Sequence, residues 1–166
     1  LAPTHRAQQA IVECLHTDEK SVQLAPGVLT FDVFAAKILA AAGHSASPIS
    51  PVMKRLLLRR IVSELHAEGS LTSFESVVHT SGFLDVVAAF ISELKREEIW
   101  PDDFLTACAS RSGARSRRDT ELGRIYQRYQ DRLAEQNWYD NEGRFWLARQ
   151  ALADGVRGPF AYVEFL

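Results

Sequence analysis

Apolar residues recur along most of the chain at three- and four-residue steps, the spacing that lines one side of a helix. Ala7, Ile11, Val12 and Leu15 form the first such stripe, with Thr4 placed to cap it. Residues 21–24 (Ser-Val-Gln-Leu) read as a short strand, which Pro26-Gly27 interrupts and Val28-Leu29-Thr30 resumes. Thr30 then caps a helix over 31–42 that ends at Gly43, with Phe31, Phe34, Ala35, Ile38 and Leu39 on its apolar side. Residues 44–50 are small and contain Pro48, a loop signature.

Ser50-Pro51 is a strong start signal, because proline in a first helical turn gives up an N–H that has no partner anyway. The helix predicted from it runs to 68, turns Leu56, Leu57, Ile61 and Leu65 inward, and stops at Gly69. A turn over 72–78 leads to a helix over 83–98 with a stripe of Leu84, Val87, Phe90, Ile91 and Leu94. Pro101-Asp102-Asp103 opens a short helix, its acids suited to the positive helix end. Residues 109–118, polar and basic around Gly113, read as a mobile loop. The longest helix is expected over 119–136, on Leu122, Ile125, Tyr126, Tyr129 and Leu133. Residues 138–142 link to a helix through Leu152 that Gly155 stops, and 160–165 form a closing strand. The pattern predicts a mostly α chain of about seven helices, with a few short parallel strands towards its two ends. That order suits a partial α/β core over 1–45, a helical insertion over 46–153 and a returning core strand over 154–166.

Composition narrows the classes without naming a function. With 166 residues, 46% hydrophobic and 24% charged, the chain is neither disordered nor fibrous. A net charge of −2 does not advertise a nucleic-acid binder. Cys14 and Cys108 are far apart and read as buried free thiols. The five histidines form no metal-ligand spacing. With no apolar run of 18 residues and no leader-like start, a cytoplasmic protein without membrane contact is expected. The absence of a starting Met and the abrupt apolar end read as an excised piece of a longer protein.

Candidate chemistry is sparse. None of Lys20, Lys37, Lys54 and Lys95 follows a glycine, so these residues contain no P-loop, and there is no Gly-x-Ser-x-Gly elbow. Glu97, Glu98, Asp102 and Asp103 read as helix-end solvation, and Asp140 and Glu142 as caps of the following helix. Seven arginines against three acids give residues 111–132 a charge of +4. Arg124, Arg128 and Arg132 share one helix face and suit a phosphate backbone, with a solvated face as the rival reading. Lys54-Arg55 and Arg59-Arg60 make a second basic cluster.

The order of several short motifs resembles superfamily-one helicases of the UvrD/Rep/RecB type, and most closely the AddB-like subunits of helicase–deoxyribonucleases. Leu1-Ala-Pro-Thr-His-Arg-Ala-Gln-Gln9 resembles motif Ia, and Val28-Leu-Thr-Phe-Asp-Val-Phe34 the next landmark. Ile49-Ser-Pro, Arg59-Arg60-Ile61-Val62, Gly82-Phe83, Ile91-Ser-Glu-Leu-Lys95, Leu122-x-x-x-Tyr126-x-x-Tyr129-x-x-x-Leu133 and Tyr139-Asp-x-Glu142 continue the likeness. The resemblance implies part of a helicase-like core of the P-loop NTPase type, interrupted by a helical insertion. It implies DNA contact at Thr4 and His5 and at Thr30 and Phe31, with capping and packing as the alternatives. Glu164 stands at the first acid position of the magnesium motif and Phe165 where the second acid belongs, a degenerate site. No catalytic residue is expected here, and ATP and Mg²⁺ are candidate cofactors of the parent protein only. The implied role is a non-catalytic part of a DNA-repair and recombination subunit that helps bind and process DNA ends. Single-stranded or end DNA and an AddA-like helicase–nuclease subunit are the implied partners. The alternative is a helical protein-interaction module with no nucleic-acid role. A helix-turn-helix regulator fits poorly, since no basic helix follows a tight glycine turn.

Overall fold

The computed structural model describes residues 1–16, 27–158, 160 and 163. Seven α-helices dominate them: α1 (His5–His16), α2 (Phe31–Ala41), α3 (Pro51–Ala67), α4 (Ser81–Arg96), α5 (Pro101–Ala109), α6 (Ala114–Glu135) and α7 (Asn141–Ala153). Two short strands, β1 (Ser47–Pro48) and β2 (Trp138–Tyr139), pair in parallel. The fold is mostly α with short parallel strands, as the patterning predicts. It divides into two compact units, one made of Leu1–Ser45 and Arg144–Leu166, the other of Ala46–Gly143.

In the first unit, fully buried Ala2 bridges Thr30 in parallel register, and the Ala2 N–H donates to the Leu29 carbonyl at 2.7 Å. Each segment feeds a helix, α1 from His5 and α2 from Phe31. Ala35, Ile38 and Leu39 of α2 are buried, and the Phe34 and Phe160 rings stack at 5.2 Å. Phe31, expected on the apolar side, is instead 39% exposed. It sits in the first turn of α2, directly after the capping Thr30. Gly43 ends α2 with φ of 63°, a left-handed turn that a side chain would strain. The predicted strand over 21–24 lies outside the described residues, as does most of 160–165.

The second unit is built on α3, α4 and α6. Its core comprises Leu58, Ile61, Val62 and Leu65 of α3, Phe83, Leu84, Val87, Ile91 and Leu94 of α4, and Ile125, Tyr126, Tyr129 and Leu133 of α6. The inward face of α3 differs from the expected one. Leu56 is 45% exposed and Leu58 is buried, because three consecutive leucines cannot share a face. The set 58, 61, 62, 65 keeps the i, i+3, i+4, i+7 spacing.

Two further expectations are corrected. The basic stretch over 109–118 is largely helix, since α6 begins at Ala114. Ala and Arg are good helix formers, and the break is confined to residues 110–113, where Gly113 takes φ 100° and ψ −176°. The segments read as loop at 44–50 and linker at 138–142 contain β1 and β2. Ser47 N–H donates to Asn137 O at 2.9 Å and Ile49 N–H to Tyr139 O at 2.8 Å. Pro48, which has no N–H, falls at the intervening position where none is needed. The parallel strand pair among the described residues thus lies mid-chain, in the second unit. Cys108 is buried as expected, whereas Cys14 is exposed.

Candidate nucleic-acid interface

Parallel pairing at Ala2 and Thr30 decides where the first unit presents its helix ends. Because both segments run the same way, α1 and α2 both begin at the carboxyl edge of the pair. Thr4 Oγ1 accepts from Ala7 N–H at 3.1 Å, and Thr30 Oγ1 from Val33 N–H at 3.4 Å. Each hydroxyl satisfies one of the orphan donors of a first turn, so both threonines are caps. Thr30 is buried, while Thr4 and His5 are exposed and Phe31 is partly so. All four sequence-predicted residues therefore meet at one edge, where first-turn amides and the positive helix ends favour anions. Asp32, also in the first turn of α2, is answered by Arg144 at 3.1 Å.

The arginine face of α6 is only partly available. Arg128 makes a two-pronged pair with Glu68 at 3.3 and 3.4 Å. Arg132 reaches Glu135 at 3.0 Å and Glu64 at 3.4 Å. Its hydrogen bond to Glu135, and after it the charge of that group, holds the Arg132 guanidinium above its usual range. The Arg60 hydrogen bond, aided by Arg132, holds the Glu64 carboxyl below the usual carboxylate range. Exposed Arg124 has no carboxylate within 4.0 Å among the described residues. Surface pairs of this kind contribute little, so a phosphate can displace them at small cost.

A buried ionic cluster went unread in the sequence. Asp140 receives Lys95 Nζ at 2.5 Å, Lys54 Nζ at 3.2 Å, the Tyr129 hydroxyl at 3.0 Å and the Gly143 N–H at 2.9 Å. Lys54 also reaches Glu142 at 3.2 Å, which makes the two lysines and two acids neutral together. Burial alone would push the Asp140 carboxyl up, but Lys95 and Lys54 outweigh it and hold the group below its ordinary value. Burial lowers the Lys95 ammonium, against the opposing pull of Asp140. Burial, and then the Asp140 charge, raises the Tyr129 hydroxyl, which stays a donor. Asp140 does cap α7 through Gly143, but its larger role is to tie α3, α4 and α6 together. The available signal was Lys95, a charge four residues after Ile91 on the apolar stripe of α4.

Lys54 is therefore internal, Arg55 pairs with Asp85, and Arg60 pairs with Glu64. Glu164 lies outside the described residues. No group of three His, Cys, Asp or Glu among the described residues could hold a metal ion. None of the described helices is long and apolar enough to cross a membrane.

Comparison with known proteins adds a family. The family model described as "ADDB, N-terminal" matches residues 1–155. A subunit of the ATP-dependent helicase/deoxyribonuclease of Oceanobacillus iheyensis is 28% identical over 104 residues, which is 62% of this chain and 9% of that protein. The matched stretch thus spans less than a tenth of that relative's length.

Proposed function

The chain belongs to the ADDB N-terminal family, and on that premise we propose that it is a DNA-contacting part of a helicase/deoxyribonuclease subunit. In this reading the parent protein processes DNA ends in repair and recombination, beside an AddA-like helicase–nuclease subunit. Residues 1–45 and the returning chain form part of a helicase-like core, and the helices between them are its insertion. The way the chain leaves the first unit at Ser45 and re-enters it at Arg144 supports that reading. The segment itself contributes binding rather than catalysis.

The observation that carries the proposal is the shared edge of α1 and α2. There the amides and hydroxyls at Thr4 and Thr30 and the ring of His5 suit phosphate oxygens, while Phe31 offers a face for a base. Arg124, Arg128 and Arg132, on α6 of the second unit, are a second proposed contact in their own right. The test is fluorescence anisotropy of the complete protein on a single-stranded oligothymidylate. His5→Ala with Phe31→Ala leaves both caps intact. Loss of one stacked base costs about 1–3 kcal/mol, so affinity should fall roughly 5- to 150-fold. Unchanged affinity would remove the edge from the proposal.

A further inference from the structure

Eleven arginines lie in the second unit, and six of them have a carboxylate within 4.0 Å among the described residues: Arg55, Arg60, Arg96, Arg111, Arg128 and Arg132. Four of the other five are Arg115, Arg117, Arg118 and Arg124, within one ten-residue stretch of α6, and all four are exposed. Arg111 stands beside them, held only loosely by Asp119 at 3.9 Å. The nearest other acid in sequence, Glu121, is buried, accepts from Thr72 Oγ1, Ser73 Oγ and the Ser73 N–H, and makes no direct ion pair with these arginines.

The corner that carries these arginines is fixed. Ser116 Oγ donates to the carbonyls of Cys108 and Arg111, at 2.9 and 3.1 Å, which pins the start of α6 to the end of α5. Gly123 lets the two helices approach so closely that a Cβ there would lie 2.5 Å from Leu105 Cδ2. Gly113 supplies no capping side chain and the first turn of α6 holds no acid, so the helix start does not offset its own positive charge. Folding gains nothing from three guanidinium groups at the positive end of a helix dipole; a polyanion does.

We infer that the α5–α6 corner, through Arg115, Arg117 and Arg118, is a sequence-independent docking surface for the phosphate backbone of DNA. It uses residues other than those of the α1–α2 edge and of the Arg128 and Arg132 pairs. The inference rests on the reading that the parent protein works on DNA, but not on which residues of the first unit touch it.

The experiment measures affinity of the complete protein for an oligothymidylate and for a duplex, across a salt series. Arg115, Arg117 and Arg118 are changed together to Ala, and separately together to Lys. Changing Arg55, Arg59 and Arg60 to Ala removes the same charge from α3 as a control. The alanine triple should weaken binding at least about tenfold at low salt and reduce the single-strand salt slope by about 2. The lysine triple should retain most of the affinity, and the α3 control should match the unmodified protein. A loss on the duplex alone assigns the surface to double-stranded flanks, and a loss on both substrates to either form. Equal affinity and slope in the alanine triple would overturn the inference while leaving the first-unit edge standing. Failure of the unmodified protein to bind either DNA would overturn both.

Discussion

A single carboxylate, Asp140, answers two lysines, a tyrosine and a backbone amide in the second unit. Replacing it with Asn keeps a good cap for α7 but leaves Lys95 buried without its counter-charge. Removing one partner of a buried pair typically costs about 3–5 kcal/mol, so Asp140→Asn should lower stability by that order in urea unfolding. A loss under about 1 kcal/mol would mean that capping was its main role. The pH dependence follows from the depressed carboxyl. Its stabilisation is complete above the unfolded aspartate value of about 3.9 and is lost as pH falls through the lower folded value. Unmodified protein should therefore lose stability steeply in acid below about pH 4, and Asp140→Asn should flatten that limb of the curve. At this scale the sequence was readable where bonds are local. Thr4, Thr30 and Ser50 were legible caps because each bonds three residues ahead. The Asp140 cluster was not, since its partners lie 45 and 86 residues away.

Helices announced themselves through periodicity, and their ends through glycine and capping residues. α3 starts at Ser50, whose hydroxyl accepts from Met53 N–H at 3.2 Å, so Ser50→Ala should cost about 1 kcal/mol in thermal or urea unfolding. Misreading the start of α6 came from weighing charge over propensity. Basic residues suggested a loop over the whole stretch, yet only residues 110–113 lie outside the helices. Gly113 sits in backbone space that is essentially glycine-only, with nothing within 4 Å of a Cβ placed there. Gly113→Ala should thus destabilise through strain alone, by roughly 1–3 kcal/mol, whereas Ala at exposed Gly82 in α4 should be neutral or stabilising. Equal effects at both sites would contradict that account. β1 and β2 had no readable signal, being two residues each, with a proline in one and about 90 residues between them.

On the scale of the chain, order of motifs carried more than any motif alone. Short apolar stretches such as Val28-Leu-Thr-Phe31 are individually common, and their succession pointed to the family that residues 1–155 match. The two units make different folding predictions. Ala46–Gly143 is continuous and contains the whole Asp140 cluster and both strands, so residues 46–143 expressed alone should melt cooperatively. A broad transition with no cooperative unfolding would contradict the unit's independence. The first unit draws on both ends of the chain, and residues 1–45 alone should not fold.

Photocrosslinking tests the DNA-contacting reading most directly. The complete protein is bound to a single-stranded oligonucleotide carrying bromodeoxyuridine, irradiated, and its crosslinked peptides are mapped by mass spectrometry. Crosslinks within the peptides bearing His5 and Phe31 are the predicted result. Efficient crosslinking elsewhere in the protein, with none in residues 1–45 or in α6, would contradict it.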